Sequence, residues 1–477
     1  TPFNYSGGLS SYSDTTLLIG GYVYSSGNSY DIKVYSSSPN SGSDTVAHND
    51  TSYALNLGTA FQGTYTIGGT SPNYATIGAA VSALSSAGVC GPTTFHIRQG
   101  TYNEQVTIGT IPGVSSSDSI LFKTAPGSSS MAKIIYGTDY TIKLRDSASY
   151  ISFDSLNIET SGNASVVQLE GAHNHLGFYN NSFVGRINAS SVVYSCIYDN
   201  NAFVNYLVIE GNTFRNGGNG IFLRGTYTDR EFNVTIKDNN IYDFSFDGIE
   251  LSYVDTSTVV GNYVKSSNGS TAIYLFGYRY FQILDNEFYA RSQPIICDYS
   301  QGSLSSYSLI ANNMFSQLGS TNSDIVFNNV NYCDIVFNSF YGQINSTLSA
   351  LVRLSGGNLN FRNNSIHNDS SGYALKVLSG TNQTRDYNNI YGNNGSNNLL
   401  GAVQLGANSI SVNPDYQSDT NHTPTNVKLV GRGTSIPGIS TDIFGNVRKS
   451  SPDIGAVEKM APFNNAGISF VDVPSVC

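Results

Sequence analysis

Hydrophobic and polar positions repeat along the middle of the chain. The stretch VIEGNTFRN, residues 208–216, places a Gly-Asn-x-Phe step between two apolar runs, and versions of this step recur along the sequence. Its asparagines are Asn181, Asn212, Asn239, Asn262, Asn286, Asn313, Asn338, Asn364 and Asn388. Their spacing averages about 26 residues, and a near-constant interval of this length indicates a solenoid of stacked coils.

The positions around each asparagine predict strands. The third residue before it and the second residue after it are Phe, Ile or Val in the first eight copies. Alternation on both sides of a polar residue predicts two short strands joined by a bend. A second alternating run follows, as in residues 220–223 and 272–275, so each coil carries about three strands. The predicted fold is all-β, a right-handed parallel β-helix.

The asparagine column is interpreted as structural. Asn tolerates positive φ better than most residues, so we expect it to occupy the bend itself. Stacked one coil apart, the side-chain amides are also expected to hydrogen-bond to each other in a ladder.

The ends of the solenoid have their own patterns. An amphipathic helix is predicted at about residues 74–86, where a Gly follows the apolar stripe, and it is expected to cap the first coil. The β-helix is predicted over residues 61–460, with ladder coils at about 150–400 and a closing segment at 405–460.

Composition and charge argue against several classes of binding partner. The chain has 33 Tyr, 24 Phe, 48 Gly, no Trp and a net charge of -10, and its few basic residues form no run. These features disfavour nucleic acid as a partner. No apolar run is long enough to span a bilayer, so direct membrane insertion is not expected. The five cysteines include no C-x-x-C, which disfavours a zinc site.

Outward positions of the second run hold the candidate binding residues. They include Phe222, Glu250 and Tyr274. An apolar and aromatic stripe along a rod is either covered by a neighbouring loop or module or binds a partner, and a glycan is the candidate ligand. Both interpretations stay open.

A lyase-like site is the catalytic alternative. Asp243, Asp247, Glu250 and Asp255, with Arg279 on the next coil, could supply carboxylates for Ca²⁺ and a base, or could be scattered acids on a solvated face. The HNH stretch at residues 173–175 is expected to place two imidazoles on one side of a strand, without a visible third ligand. In the preferred interpretation no residue is catalytic and no cofactor or metal is required.

Two segments resemble known β-helical proteins. Residues 74–81 and 95–108 (Y-A-T-I-x-x-A-V and F-x-I-x-x-G-T-Y-x-E-x-V-x-I) resemble the entry to the β-helix in pectin methylesterases and related surface proteins, but the esterase motifs are missing. Residues 411–416 and 442–458 (SVNPDY and DIFGNVRKSSPDIGAVE) resemble the closing segment of bacterial surface β-helix proteins. The resemblance implies that the Asp, Arg and Glu of this segment buttress the C-terminal end.

The flanks extend the resemblance to a modular protein. Residues 1–60 resemble the last strands, and residues 461–477 the first strand, of Ig-like sandwich modules in large adhesins of gliding and related bacteria. This resemblance implies that the sequence is a segment of a longer extracellular cell-surface protein, whose neighbouring modules are its partners. The function it implies is a non-enzymatic spacer or filament segment that binds polysaccharide or another surface. The alternative is a polysaccharide lyase or hydrolase; a phage tailspike is disfavoured by the flanks.

Overall fold

The fold is a right-handed parallel β-helix of about 13 turns, so the fold class predicted from the sequence is confirmed. The computed structural model describes residues 4, 6–7, 15–22, 29–37, 51–300, 302–303, 307–319, 323–393, 398–400 and 404–459. The predicted sandwich strand at residues 461–477, with Cys477, lies outside them.

Three parallel sheets run the length of the solenoid. Sheet A, before the asparagine column, contains Phe61–Ile67, Val89–Ile97, Ile120–Thr124, Ile151–Asp154, Glu231–Lys237, Val254–Asp255, Thr258–Val260, Gln282–Leu284, Ser308–Ala311, Cys333–Val336, Leu359–Arg362 and Thr384–Asp386. Sheet B, after the column, contains Thr101–Asn103, Ser182–Val184, Thr213–Arg215, Asn240–Tyr242, Tyr263–Ser266, Glu287–Ala290, Met314–Gln317, Ser339–Gly342, Ser365–Asn368 and Asn389–Gly392.

Sheet C closes each coil. It contains Val106–Ile108, Ile221–Arg224, Asp247–Ser252, Thr271–Phe276, Gln293–Asp298, Ile325–Asn328, Ala350–Ser355, Tyr373–Ser379 and Leu399–Leu400. Three long strands pass through bends and belong to more than one sheet: Ala132–Asp146, Leu156–Tyr179 and Ile197–Glu210. Short 3₁₀ turns lie at Val192–Tyr194 and Val427–Leu429.

The core is built from like residues stacked coil on coil. Phe95, Phe122, Phe153 and Phe178 form one inward column, with ring centroids 4.9 to 5.6 Å apart and nearly parallel planes. In-register parallel pairing brings the same position of each coil to about one strand spacing, roughly 4.8 Å, so flat rings stack face to face. All four rings are buried.

The nine predicted asparagines lie in one buried ladder. The Asn286 Nδ2 group donates to Asn313 Oδ1 at 2.9 Å and to the Val259 carbonyl at 2.9 Å. Its Oδ1 accepts from both the backbone N and Nδ2 of Asn262, each at 2.9 Å. The same side-chain bond continues from Asn181 to Asn388, and the Ser409 hydroxyl accepts from the Asn388 backbone at the last rung.

The expected positive φ falls one residue earlier than predicted. None of the ladder asparagines has positive φ; the residue before each one does, as at Gly211 (70°), Gly261 (66°), Asn312 (57°) and Phe337 (53°). The left-handed residue turns the chain, and this leaves the following Asn extended, with its amide aimed along the rod axis. The prediction that the ladder asparagine itself occupies the bend was therefore wrong. The asparagine stays extended so that its side-chain amide can bond to the next coil.

The capping helix begins at Ile77 and ends at Ala87. Thr76 is its N-cap, and the Thr76 hydroxyl accepts from Ala79 N. A second cap comes from the first coil, because the Glu104 carboxylate accepts from Ile77 N at 3.1 Å and from Gly78 N at 2.8 Å. Four side chains of the helix, Ile77, Ala80, Val81 and Leu84, are buried against the coil.

Upstream of the solenoid, Ser29–Tyr35 and Thr51–Gly58 pair as antiparallel strands. This hairpin lies within the segment predicted to end a sandwich module. The division of the chain into modules remains a prediction.

The closing segment folds back along the side of the last coils. We call residues 404–459 the strap. Ile436 and Ile439 in the strap pack against Ala311, Val336 and Phe337, which are outward or bend residues of sheet A. Near its end, the Asp442, Arg448 and Glu458 side chains of the strap are buried, and Arg448 donates to Asn312 Oδ1 at 2.8 Å with its guanidinium over the Phe337 ring. Arg448 therefore holds the strap to the flank of the coils, and Asp442 and Glu458 make their hydrogen bonds within the strap.

Candidate functional site

The outward face of sheet C carries the predicted binding residues in one row. Parallel register aligns Tyr198, Phe222, Glu250, Tyr274, Ile296, Val326 and Arg353. These side chains point away from the core because they alternate with inward residues such as Ile273 and Leu275. The sequence pattern thus places Phe222, Glu250 and Tyr274 on adjacent coils.

Phe222 is not an open platform. Its side chain is only 4% exposed, because the Arg224 guanidinium lies over the ring at 4.6 Å and the Tyr198 ring stacks beside it at 5.4 Å. Arg224 takes this position to reach Glu250 on the next coil. At Phe222 the stripe is therefore covered, which was one of the two interpretations left open by the sequence, and the ring has no free face for a sugar.

Glu250 is buried in a polar network. Its carboxylate accepts from Arg224 Nη2 at 2.6 Å and from Asn219 Nδ2 at 3.2 Å. Asn219 and Arg224 were missed in the sequence because only one outward column was considered; Arg224 lies two positions after Phe222 and therefore shares its face. The network leaves Glu250 without an open surface for a ligand.

Asp247 lies beside this network. Burial and the neighbouring Glu250 carboxylate raise the pKa of Asp247 to about 7, although a hydrogen bond with Thr271 opposes the shift. A carboxyl with a pKa near neutral pH therefore lies near one that is paired with a guanidinium. A pair with this division can supply a general acid and an anion.

Tyr274 is the accessible ring of the predicted stripe. It is partly exposed between Glu250 and Ile296 in the row. Burial of its hydroxyl end, together with the Asp298 and Glu250 carboxylates, raises the pKa of Tyr274 to about 12. The phenol therefore remains a hydrogen-bond donor in a site flanked by acceptors.

The rest of the predicted acidic cluster does not converge. Asp255 is buried in a bidentate pair with Arg230, with both N–O distances at 2.6 Å. Asp243 lies on an exposed bend with φ of 58°, and the Arg279 backbone bridges to Asp255 at the corner after sheet C. Because Asp255 is paired with Arg230 and Asp243 lies on the bend after a strand of sheet B, the five residues do not form one site.

The two histidines of the HNH stretch diverge. The His173 ring is buried, and its Nδ1 lies 2.9 Å from the Ala148 carbonyl oxygen. His175 has φ of 55° and lies outside, stacked between Tyr150 and Tyr206 with both centroid distances at 4.6 Å. The expectation that both imidazoles share one side of a strand was wrong because the left-handed bend falls on His175.

Two kinds of feature are absent from the residues that the structure describes. Among them, no group of three or more His, Cys, Asp or Glu side chains could hold a metal ion. Within the same ranges, no helix has the length and apolar character needed to cross a bilayer.

A second pair of buried carboxyls lies at the corner between sheets C and A. Asp199 accepts from Ala202 N at 2.6 Å and Arg224 N at 2.7 Å. Burial raises the pKa of Asp199 to about 6, and burial with the Asp199 charge raises the pKa of Glu231 well above its ordinary value. Glu231 therefore keeps its proton, and Asp199 holds the chain turn beneath Arg224.

Comparisons with known proteins agree with the fold. A family model described as "Right handed beta helix region" matches residues 195–350. No curated protein matches the chain. One similar solved structure is XylC in complex with xylose, with 9% identity, coverage of 84% of this chain and 99% of that chain, and a TM-score of 0.54.

Other similar structures have lower TM-scores. Pectate lyase Pel9A has 14% identity, coverage of 84% of this chain and 98% of that chain, and a TM-score of 0.46. PfbA, a surface adhesin of Streptococcus pneumoniae, has 12% identity, coverage of 68% and 92%, and a TM-score of 0.40. Identities this low show a shared fold and nothing about activity.

Proposed function

We propose that this chain is a rigid, non-catalytic segment of a large extracellular surface protein or filament of a bacterium. The observation that carries the proposal is the unbroken ladder from Asn181 to Asn388, in which each internal amide bonds to the coils on both sides. About 13 turns at roughly 4.8 Å per turn give a rod on the order of 60 Å long. Its partners are neighbouring modules of the same chain.

The adhesive role is assigned to Tyr274. The ring is partly exposed, and the carboxylates of Glu250 and Asp298 lie close enough to perturb its hydroxyl. An aromatic ring beside the partly buried Asp298 carboxylate suits a sugar, which offers an apolar ring face and hydroxyl donors. A glycan along the outward face of sheet C is therefore the proposed ligand.

The spacer role is tested on the native polypeptide that carries this segment. It is recovered from the cell surface, and its mass and negative-stain appearance are recorded. We expect a very large chain seen as a beaded or continuous fibre. A compact secreted protein near the 51.1 kDa of this sequence would contradict the proposal.

The glycan face is tested with a Tyr274→Ala variant on an array of bacterial and host polysaccharides. We expect binding to fall at least tenfold. Tyr242→Ala is the matched control, because Tyr242 is also a partly buried outward tyrosine but lies on sheet B, under the Arg215 guanidinium. An equal loss in both variants, or no loss in either, would contradict the assignment to sheet C.

A carbohydrate-active enzyme is the second candidate function. The observation that favours it is the Asp247 and Glu250 pair, in which a carboxyl with a pKa of about 7 lies near a carboxylate that accepts from Arg224. Turnover of polysaccharides would be measured by new reducing ends, with Asp247→Asn as the test variant. Activity that Asp247→Asn abolishes would establish this alternative; no turnover of any neutral or acidic polysaccharide would dismiss it.

A further inference from the structure

A depression lies on the outward face of sheet A, away from Tyr274. Its volume is about 520 Å³, and the side chains that shape it are those of Leu121, Ser152, Asp154, Tyr179, Asn180 and Glu210. Binding sites for small ligands are commonly about 300–1,000 Å³ and combine an aromatic or apolar wall with a few polar groups. The depression has both features.

The base of the depression is low because two small residues are adjacent in one outward column of sheet A. Register aligns Leu121, Ser152, Gly177 and Val208 on four successive coils. Ser152 leaves space beside the larger Leu121, and Gly177 leaves room for the Tyr179 ring. The site is therefore a local interruption of an otherwise ridged face.

Gly177 also positions the aromatic wall. A Cβ at Gly177 would lie 2.4 Å from Tyr179 Cε2 and 2.7 Å from the Ser152 hydroxyl oxygen. The Tyr179 ring therefore lies back over the glycine, two residues earlier on the same strand, and any side chain there would displace it. Burial and the Glu210 carboxylate raise the pKa of Tyr179, so the phenol keeps its proton.

Two carboxylates flank the ring on the neighbouring coils. Asp154 accepts from Lys123 Nζ at 3.1 Å and from Asn180 Nδ2 at 3.1 Å. Burial favours a raised pKa for Asp154, but hydrogen bonds from Asn180, Ser155 and Lys123 outweigh it and hold the pKa below its ordinary value. Glu210 accepts from Lys237 Nζ at 2.6 Å.

We propose that this depression binds a single uncharged glycosyl unit. The apolar face of the sugar ring lies against Tyr179, and its hydroxyls donate to the carboxylates of Asp154 and Glu210. An acidic sugar is disfavoured because it would bring its carboxylate against two others whose cations, Lys123 and Lys237, are already paired. The site is independent of the spacer role and of Tyr274.

The test uses saturation-transfer NMR and titration calorimetry on the whole chain. The probes are the methyl glycosides of glucose, galactose, mannose, xylose and glucuronic acid. We expect at least one neutral glycoside to bind and the glucuronide to bind at least tenfold more weakly. Binding by none of the neutral glycosides, or tighter binding of the glucuronide, would overturn the proposal.

Three variants locate the binding. Tyr179→Ala removes the wall, Gly177→Ala displaces the ring, and Ser152→Val fills the floor; each is expected to lower affinity at least tenfold. Ser152→Val keeps the test valid if the others fold poorly, because an outward β-branched residue suits a strand. Tyr242→Ala, on sheet B, is the control and should leave the affinity unchanged. Unchanged affinity in Ser152→Val, or a loss in Tyr274→Ala alone, would place the sugar elsewhere.

Discussion

At the residue scale, each ladder asparagine joins three coils. Asn286 bonds backward to Val259 and Asn262 and forward to Asn313, and its side chain is fully buried. Both halves of the amide are used, the oxygen as an acceptor and the nitrogen as a donor. Neither Asp nor Ala can supply both the amide donor and the amide acceptor. The Gln side chain carries the same amide but is one methylene too long, so the column is specific for asparagine.

The first prediction is that Asn286→Ala lowers the free energy of unfolding by roughly 3 kcal/mol. The substitution leaves the Asn262 backbone N–H and the Val259 carbonyl buried without their partners, at about 1–3 kcal/mol each. Asn286→Asp should cost more, since it also buries a charge. Urea unfolding followed by circular dichroism measures both.

The control for this prediction is Asn240→Ala. Asn240 is exposed, one residue beyond ladder residue Asn239, and its substitution should change stability by less than about 0.5 kcal/mol. Equal effects of Asn240→Ala and Asn286→Ala would mean that strand composition, rather than the ladder, determines stability.

The spacing of the asparagines was readable from sequence, but the bend was not. The left-handed position holds Gly211, Gly261, Asn180 and Asp238 as well as Phe337, so no single residue type marks it. A bulky Phe337 is tolerated there because its ring packs under the guanidinium of Arg448. Arg448 also donates to Asn312, which lies 136 residues earlier in the chain. Contacts of that sequence separation leave no local pattern.

At the element scale, the strap depends on a cluster of rings. Tyr416 stacks on His422 at 4.7 Å, and His367 lies 5.9 Å from Tyr416. His422 is fully buried, with Nε2 2.7 Å from the Ser316 hydroxyl and Nδ1 3.2 Å from the Ser339 carbonyl. The strap is therefore fixed to sheet B through a neutral imidazole.

The second prediction is that acid loosens the strap. Burial lowers the pKa of His422 to about 4 from an ordinary value of 6.5, and the nearby His367 adds to the shift. The unfolded chain binds the proton first, so stability is full above about pH 6.5 and is lost as pH falls toward 4, by up to about 3 kcal/mol. Hydrogen exchange of residues 413–426 at pH 7 and pH 5 measures the loss.

A variant pair isolates the imidazole. His422→Gln should flatten the pH dependence of exchange in the strap, whereas exposed His175→Gln should leave it unchanged. Asp369 and Asp415 lie near His367, and their negative charges favour its protonated form. A pH dependence that persists in His422→Gln would assign the effect to those carboxylates.

Sequence located the strap but not its course. The D-x-x-G-x-x-R and P-D-I-G-A-x-E pattern predicts a closing segment, and the buried Asp442, Arg448 and Glu458 fit a buttress. Its path along the flank depends on outward apolar residues of sheet A, such as Ala311 and Val336, which look like ordinary strand alternation in the sequence. For the same reason, the sequence did not predict that the Arg224 guanidinium lies over the Phe222 ring.

At the scale of the whole molecule, a solenoid has only neighbour-to-neighbour contacts. Among the described residues, the sheets pair each coil with the one before and after it, and the strap joins parts of the chain that are distant in sequence. Stability in such an array is close to a sum of coil and interface contributions. A defect at one end should therefore stay at that end.

The third prediction follows from Glu104. Its carboxylate caps the helix Ile77–Ala87 from the first coil, so Glu104→Ala removes both acceptors for Ile77 N and Gly78 N and costs about 1 kcal/mol. Exchange of the helix and of Phe61–Ile67 should accelerate about fivefold, and exchange of residues 235–290 should not change. The exposed Glu170→Ala, whose partner is Lys143, is the matched control. If protection instead fell along the entire rod, the coils would unfold as one cooperative unit, and the rigidity assigned to the ladder would belong to the whole molecule.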